Sequence, residues 1–471
     1  MTRAGSRRLI INAELLLPGG GTRRANVLIA GERIESIDAV ASLENVTIID
    51  ARGGLLIPGL HDHHTHLVSY AASLASVRCG PPEVMNESDL ASTINAPGRG
   101  WLRGTGFHES VFLHLDRNWL DRHGPDRPIR IQHRSGRLWI VNTPALDAIA
   151  RAAASLAPHE QSRLSSPDGR LFDVDELLGN VMRSIEPPIE TASRNLAALG
   201  VTSINDMTPA NDHETYEWFA RLQASGELVQ RVRMSGRPGL SSARGGSRLS
   251  VGETKVHLHD SSLPDIDDFA ATIRRSHEAQ RPVAVHCVTE VSLVFTLSAF
   301  HAAGVVPGDR IEHASVVPPA LIAQLVDPGL VVVTQPNFIA ERGDDYLSAI
   351  PMAEHDWLYR VRSLIEAGVP VAFGTDAPFG HHDPWRAMSA AMTRRTAAGS
   401  HLGRKECVDA ETALAGFLGE LGSPSIPRVI EPGALADCCL LDVSWRTLRS
   451  NLDASHVRMT IASGDIVYSR D

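Results

Sequence analysis

A histidine-rich segment, residues 61–66, carries side chains of the type that hold metal ions. Its sequence is HDHHTH, and it follows Pro58-Gly59-Leu60 directly. Because alternate residues of a β-strand point to the same side, a strand here would direct His64 and His66 toward one face. Neutral imidazoles are common ligands of Zn²⁺ and its neighbours among the transition metals. The spacing predicts a pair of metal ligands, with a solvent-facing histidine loop as the alternative.

Three later residues of the ligand type each end a predicted strand of the chain. His286 ends PVAVH, His313 ends DRIEH and Asp376 ends PVAFGTD. A single histidine on an apolar strand is usually a packed core residue. Three strands that each end in such a residue, together with the His-x-His pair, favour one metal site of four histidines and an aspartate.

Lys255, in the segment TKVHLHD, is a further candidate ligand at the end of an apolar strand. A lysine is rarely buried without a role. It could be carboxylated and bridge two metal ions, it could pair with a carboxylate of the substrate, or it could be a surface charge. The sequence leaves these three alternatives open.

This set of residues predicts hydrolysis by a metal-activated water. A divalent ion with an open coordination position lowers the pKa of a bound water to about 7. Asp376 could accept the proton of that water as a general base and return it as a general acid. A serine nucleophile is not indicated, because the chain has no GxSxG motif, and Cys287 reads as a small packed residue. The expected ion is zinc, with manganese, iron, cobalt and nickel as alternatives and one or two ions per chain.

The chain around these residues alternates between short apolar strands and helix-period stretches, which indicates βα units and a parallel sheet. Eight strand segments are predicted: LIPGLHDHHTHL, GVTSINDM, VQRVRMSG, TKVHLHD, PVAVHCV, DRIEHAS, LVVVTQP and PVAFGTD. The number eight, without a GxGxxG motif, favours a closed (β/α)₈ TIM barrel over an open dinucleotide-binding sheet. Catalytic residues of such barrels lie at the carboxyl ends of the strands.

The predicted architecture is α/β: the barrel, a small β-sandwich built from both chain termini, and a large insertion after the first barrel strand. Residues 1–57 and 426–471 contain strand patterns and turn signals, and chain ends commonly lie close together. The barrel is predicted to span residues 58–425. The stretch before GVTSINDM is far longer than an ordinary βα connection, which predicts the insertion at about residues 75–185.

The composition of the chain excludes several classes of protein. Of its 471 residues, 45 are basic and 55 acidic, for a formal net charge of -10, which argues against nucleic acid as a partner. No apolar run approaches the length of about 18 residues that a membrane span needs. The N-terminal apolar run is interrupted by Asn12 and Glu14 and predicts a strand rather than a signal peptide. The five cysteines form no CxxC pair, which predicts a cytoplasmic location. The expected partner is a small-molecule substrate, and a homo-oligomer is left open.

Several segments resemble the amidohydrolase superfamily, and in particular its YtcJ-like branch, which includes N-substituted formamide deformylases. PGLHDHHTHL resembles the motif PGxxDxHxHL, SGRLWIVNTPAL resembles DGHxxWVNSxAL, HCVTE resembles HAIGD, and PGALADCCLLD resembles GxxADLVVLD. The segments RIEHA and GVPVAFGTDAPFG also resemble family motifs. The resemblance runs along almost the whole chain. It implies a metal set of His64, His66, His286, His313 and Asp376, with Lys255 at the position of the family's lysine.

Three departures from the family pattern concern residues expected around the substrate. The family's DG pair is replaced by the sequence His259-Asp260-Ser261, its insert histidine by Arg137, and the aspartate of HAIGD by Glu290. Formamide deformylation is therefore not carried over to this chain. Arg137 suggests an anionic group in the substrate, with a structural salt bridge as the alternative.

The insertion is predicted to cover the mouth of the barrel and to determine which substrate is bound, because loops at the carboxyl face carry specificity. Its residues of interest are Trp101, His108, Glu109, Arg134 and Arg137. The substrate-binding residues that we expect are Trp101, His108, Glu109, Arg137 and Glu290.

The predicted function is hydrolysis of a C–N bond in an amide, formamide or cyclic amide of small or medium size. The alternative is deamination of an aminated heterocycle. By the resemblance, deaminases of the same superfamily typically carry a glutamate three residues after the histidine of the fifth strand. That position is Thr289 here, and the acidic residue follows at Glu290. A non-catalytic binding protein is the third hypothesis, and the retention of all four histidines and Asp376 argues against it.

Overall fold

Eight parallel strands in sequence order form a nearly closed barrel, as the sequence predicts, in a computed structural model of the chain. The structure describes residues 7–17, 19–39, 45–95, 97–174, 177–179, 187–240, 248–326 and 329–471. The barrel strands are β1 (Leu60–Thr65), β2 (Val201–Asp206), β3 (Arg231–Gly236), β4 (Leu249–His257), β5 (Val283–Cys287), β6 (Arg310–His313), β7 (Val331–Thr334) and β8 (Val371–Phe373).

The barrel strands are apolar along nearly their whole length because both faces of a parallel sheet are covered. Every residue of β1, β6 and β7 is buried. Side chains of the strands pack with those of the helices that follow, as Val285 and Ile311 do with Leu293. The helices around the barrel are Ile189–Ala198, His213–Ser225, Ile266–Glu278, Glu290–Ala303, Ile322–Val326, Asn337–Ala349, Arg362–Glu366, Pro384–Thr393 and Ala410–Ala415.

Strands from both ends of the chain form one further sheet of eight strands. The segment Leu55–Pro58, which leads directly into β1, pairs with Cys438–Leu441 from the other end. The remaining strands of this sheet are Arg7–Leu16, Thr22–Ala30, Arg33–Ile37, Val46–Asp50, Val457–Ala462 and Asp465–Ser469. The helix Trp445–Leu448 lies in the chain between the strands Cys438–Leu441 and Val457–Ala462. The predicted fold class is confirmed.

The chain divides into two compact units, residues 1–66 with 193–471 and residues 67–192. The predicted insertion, residues 75–185, falls inside the second unit, although residues 96, 175–176 and 180–185 lie outside the described residues. The second unit has a sheet of five strands: Val77–Arg78, Leu102–Phe107, Ile129–His133, Leu138–Val141 and Arg170–Phe172. Its helices are Leu67–Leu74, Glu87–Ile94, Arg117–His123, Thr143–Ala152 and Pro158–Arg163. No helix among the described residues has both the length and the apolar character needed to cross a membrane.

The first barrel strand, β1, is in close contact with the residues that follow the last strand, β8. The backbone nitrogen of Asp376 donates a hydrogen bond to the carbonyl oxygen of His64 at 2.8 Å, and His66 donates to Ala377 at 2.9 Å. A Cβ atom at Gly374 would lie 2.6 Å from the backbone nitrogen of His64 and 2.8 Å from its Cα. Only glycine fits there without displacing the backbone of β1.

We expect Gly374→Ala to destabilise the protein, because the new methyl group must push against the backbone of His64 rather than against a flexible side chain. Overpacking of this kind lowers the free energy of unfolding by about 1–3 kcal/mol. Thermal and urea denaturation would measure the change. Gly239→Ala is the matched control, because a Cβ atom at Gly239 meets nothing within 4 Å. Equal stability of the two variants would contradict the role of this close approach.

Candidate metal centre

The six predicted metal ligands lie at the carboxyl ends of five barrel strands or directly after them. His64 lies near the end of β1, Lys255 near the end of β4, and His286 near the end of β5. His313 is the last residue of β6, while His66 and Asp376 follow the ends of β1 and β8. Since all strands are parallel, these ends meet at one face of the barrel.

Asp376 is the point at which the ligands converge most closely. Its Oδ1 lies 3.2 Å from His66 Nε2 and 3.4 Å from His64 Nε2. His64, His313 and Asp376 each offer a ligand atom, and these three atoms lie within 4.8 Å of one another. A tetrahedral ion with bonds of about 2.0–2.2 Å separates its ligand atoms by roughly 3.3 Å. The distances around Asp376 therefore suit a single ion.

Three buried atoms of this group lack a hydrogen-bond partner among the described residues. They are His64 Nε2, Asp376 Oδ1 and Lys255 Nζ. A buried polar atom without a partner costs about 1–3 kcal/mol of stability, so native proteins rarely leave one, let alone three in one place. A bound cation would satisfy the imidazole nitrogen and the carboxylate oxygen together. The residues present therefore fit a divalent metal ion.

The protonation states of these residues also suit a metal ion. Burial lowers the pKa values of His64, His286 and His313, so that their imidazoles are neutral and keep a lone pair for coordination. Burial acts against ionisation of Asp376, but the neighbouring His66 and His64 outweigh it and hold its pKa below the usual range. Burial also lowers the pKa of Lys255, against the opposing charge of Glu312.

His286 lies farther from the centre than the other histidines. Its ring is half-buried and 4.4 Å, centroid to centroid, from that of His313, which in turn is 4.7 Å from the ring of His64. The ring of His257, two residues after Lys255 on β4, lies 4.1 Å from that of His286, centroid to centroid. The four imidazoles therefore form a continuous row across the carboxyl ends of β1, β6, β5 and β4.

Glu312 is a functional residue that the sequence analysis missed. Its Oε2 lies 2.5 Å from His64 Nδ1, and Arg310 forms an ion pair with the same carboxylate. The contact keeps the proton of His64 on Nδ1 and leaves Nε2 free to face Asp376. The signal in the sequence was an acidic residue in RIEH, a segment predicted to be a barrel strand and therefore buried.

The other two well-placed imidazoles are oriented in the same way. His313 Nδ1 lies 2.7 Å from Gln335 Oε1, and His66 Nδ1 lies 3.2 Å from Thr208 Oγ1. Residues that hold the far nitrogen of a ligand histidine fix its tautomer and the direction of its ring. Neither partner is adjacent in sequence to its histidine, so no local motif predicts these contacts.

Asp62, inside the histidine-rich segment, connects the two strands that meet beside the ligands. Its carboxylate accepts hydrogen bonds from the backbone nitrogens of His64 and Thr375 at 3.1 and 3.0 Å, and from Thr375 Oγ1 at 2.5 Å. Burial raises the pKa of Asp62 to about 7. Asp62 therefore acts on the metal ligands through the backbone of β1 and the turn after β8.

The predicted substrate-binding residues do not all belong to one unit of the structure. Trp101, His108, Glu109 and Arg137 lie in the second unit, and Glu290 is an exposed residue at the start of a barrel helix. Arg137 is engaged by Asp173, with two nitrogen–oxygen distances of 2.7 Å. This ion pair matches the structural alternative to an anionic substrate group, and the substrate roles of all five residues stay predictions.

Comparison with known proteins identifies the family of this barrel and its histidines. The model of the amidohydrolase family called Amidohydro_3 matches residues 47–468. The chain belongs to this amidohydrolase family. It is therefore a hydrolase that acts on C–N bonds other than peptide bonds, as its sequence motifs predicted.

The alignments with known relatives cover nearly the whole chain. It is 24% identical to N-substituted formamide deformylase of Arthrobacter pascens, over 92% of this chain and 93% of that protein. It is 22% identical to the putative amidohydrolase YtcJ of Bacillus subtilis, over 90% of each chain. The structure of an uncharacterised metal-dependent hydrolase from Pyrococcus horikoshii has the same fold, with a TM-score of 0.79 at 19% identity over 96% of this chain and all of that one. The predicted resemblance to the YtcJ-like branch is confirmed.

We expect Glu312→Gln to weaken metal binding by the barrel about 10–100-fold, because partners of this kind contribute that much to affinity. The variant loses the carboxylate that holds His64 Nδ1 and keeps the side-chain shape. Competition with a chelating dye would measure the metal affinity.

Glu253→Gln is the control for that experiment, because Glu253 is another buried carboxylate beside Arg310, at 3.8 Å, and has no contact with His64. It reproduces the loss of buried charge without touching a ligand. If both variants lost metal affinity equally, the effect would come from Arg310 and not from the orientation of His64.

Proposed function

We propose that this amidohydrolase cleaves the C–N bond of an amide, formamide or cyclic amide of small or medium size, with His64, His66, His286, His313 and Asp376 around a divalent ion. The observation that carries the proposal is the convergence at Asp376 Oδ1, a buried atom without a hydrogen-bond partner, 3.2 and 3.4 Å from the two imidazoles of the His-x-His pair. Two imidazoles and a carboxylate at such distances are a donor set for catalytic metal ions.

Asp376 performs the proton transfers of the proposed reaction. A divalent ion supplies Lewis acidity at this site and lowers the pKa of water to about 7 when it is zinc. Asp376 begins as a carboxylate, since its pKa lies below the usual range. With Oδ1 facing the ion, the other carboxylate oxygen, Oδ2, accepts a proton from the attacking water and delivers it to the nitrogen that leaves, so the amine departs neutral as the C–N bond breaks.

Zinc is the ion that we propose, because imidazole and carboxylate ligands are typical of it, with manganese, iron, cobalt and nickel as alternatives. Lys255 joins the ligand set in this proposal. Its Nζ is buried and without a hydrogen-bond partner among the described residues, and burial favours its neutral form. As a neutral amine it would serve one ion, and as a carbamate it would bridge two.

Deamination is less well supported than amide hydrolysis by the end of β5. Thr289, the position where a deaminase would carry its glutamate, caps the following helix, and its Oγ1 accepts a hydrogen bond from the backbone nitrogen of Ser292 at 3.1 Å. The acidic residue beside it, Glu290, is exposed at the start of that helix. No carboxylate of this segment is placed as the deaminase hypothesis requires.

We further propose a cytoplasmic location and an insertion that determines substrate choice. The five cysteines are all free thiols, four of them buried, which is the usual state in a reducing compartment. The residues proposed to contact the substrate are Trp101, His108, Glu109 and Arg137 of the insertion, and Glu290 of the barrel. Loops that vary on a conserved barrel are where such enzymes differ in specificity.

We expect purified, zinc-loaded protein to release an amine or a carboxylic acid from members of a panel of N-substituted formamides, N-acyl amines and cyclic amides. The same protein is expected to release no ammonia from a matched panel of aminated heterocycles. Chromatography would follow the organic products, and a coupled assay would follow ammonia. Ammonia release without any amide cleavage would contradict amide hydrolysis and favour deamination.

Asp376→Asn and His64→Ala should separate proton transfer from metal binding. Asp376→Asn keeps one acceptor oxygen and loses basicity, so turnover should fall by about 10²–10⁴-fold or more, while much of the bound metal remains on the four histidines. His64→Ala should lose metal and activity together, because a ligand is removed. Elemental analysis and turnover would be measured on the same samples. Normal turnover of metal-loaded Asp376→Asn would refute the proposed mechanism.

A further inference from the structure

A second group of metal-ligating side chains lies entirely within the second unit. The strands Leu102–Phe107 and Ile129–His133 are parallel neighbours, and Phe107 is paired with His133. The chain leaving the first strand continues with His108 and Glu109, so these residues lie beside His133 at the carboxyl ends of the two strands. Such ends are where ligands of parallel sheets commonly bind.

Two turns with the same local geometry hold the histidines of this group. Each begins at a histidine and is closed by a backbone hydrogen bond, from Val111 to His108 at 3.0 Å and from Gly136 to His133 at 2.9 Å. Each has a serine two residues after the histidine, and in both turns the distance from Nδ1 to the serine Oγ is 2.8 Å. The backbone nitrogens of the same serines also donate to Nδ1, at 3.2 Å for His108 and 3.1 Å for His133. Both rings are therefore held by Nδ1, with Nε2 facing away from the turn.

Both Nε2 atoms face the same carboxylate oxygen. Glu109 Oε2 lies 3.0 Å from His133 Nε2 and 4.0 Å from His108 Nε2. The three atoms lie within 4.8 Å of one another, and a tetrahedral ion requires roughly 3.3 Å between its ligands. Side-chain adjustments of about 1 Å would bring them to that spacing. Side-chain exposures of 28%, 36% and 14% for His108, Glu109 and His133 leave the group open to an ion and to water.

We propose that His108, Glu109 and His133 form a second metal site, which takes a divalent transition-metal ion, with Zn²⁺ as its representative. Two imidazoles and one carboxylate favour such an ion over Mg²⁺ or Ca²⁺, which prefer oxygen ligands only. Binding of an ion by Nε2 moves the ring proton to Nδ1, where Ser110 Oγ and Ser135 Oγ, each 2.8 Å away, can accept it in place of the backbone N–H contacts that Nδ1 accepts in the structure. The bound ion connects the two loops that follow the parallel strands.

The second site shares no residue with the candidate metal ligands of the barrel. His108 and Glu109 are also among the residues proposed to contact the substrate, so the test of the second site counts bound ions and does not rely on activity.

Counting bound ions in the full-length chain tests the proposal, with Zn²⁺ and Co²⁺ as probes. After removal of metal with a chelator and equilibrium dialysis, wild type should hold one more ion per chain than His133→Gln or Glu109→Gln. His159→Gln is the matched control, because His159 is an exposed histidine of the same unit, and it should bind as many ions as wild type. His64→Ala should keep the ion that His133→Gln loses.

A stability measurement on the same variants gives a second readout. In His64→Ala, added Zn²⁺ should raise the melting temperature of the chain, because an ion that binds only the folded state stabilises it, and the double variant with His133→Gln should lose that shift. If His133→Gln fails to fold, the same measurement is made with Glu109→Gln, which keeps the shape of the side chain. Equal ion counts in wild type, His133→Gln and Glu109→Gln overturn the second site. A loss of ions confined to His64→Ala overturns it as well, while leaving the barrel centre intact as a hypothesis.

Discussion

The contact between the first and last barrel strands is the constraint on which the candidate centre depends. The hydrogen bond from Asp376 to the backbone of His64 places the carboxylate beside the His-x-His pair, and Gly374 permits the strands to approach closely enough for it to form. Asp62 reinforces the contact from the other side through Thr375. Both Asp376 and His313 adopt left-handed backbone conformations, with φ of +56° and +69°. Such conformations are uncommon for residues other than glycine and persist where surrounding contacts hold them.

The buried charges below the ligands serve the orientation of His64 more than the stability of the barrel. Glu253, Arg310 and Glu312 are all nearly inaccessible to solvent and lie next to one another inside the sheet. Removing ions from water costs as much as or more than their attraction returns, so an apolar core would be at least as stable. The arrangement nevertheless supplies one thing that apolar side chains cannot, a carboxylate directed at the outer nitrogen of a ligand histidine.

The fold was predictable because it depends on local patterns, and its eight strands follow from short strand-like runs at regular intervals. The candidate ligands were proposed from their places near the ends of those predicted strands, and their role as ligands stays a prediction. Glu312 and Gln335 were not found, since a contact between residues on different strands depends on how the barrel closes and leaves no local pattern. Arg137 illustrates the same limit. Its partner, Asp173, lies on a neighbouring segment of the insertion, and nothing near Arg137 in the sequence distinguishes a salt bridge from an anion site.

The two ligand groups follow the same rule of construction and differ in their exposure to water. In both, parallel strands bring the ligands together at their carboxyl ends, and a fixed partner on Nδ1 directs Nε2 inward. In the barrel, the unpartnered atoms are buried, and a low dielectric strengthens the field of an ion on a water and on a carbonyl group. The group in the second unit is partly exposed, so water competes with its ligands and screens its charge. An ion there suits a stabilising role better than a catalytic one, because neither a buried general base nor a dry surrounding is present among the described residues of that group.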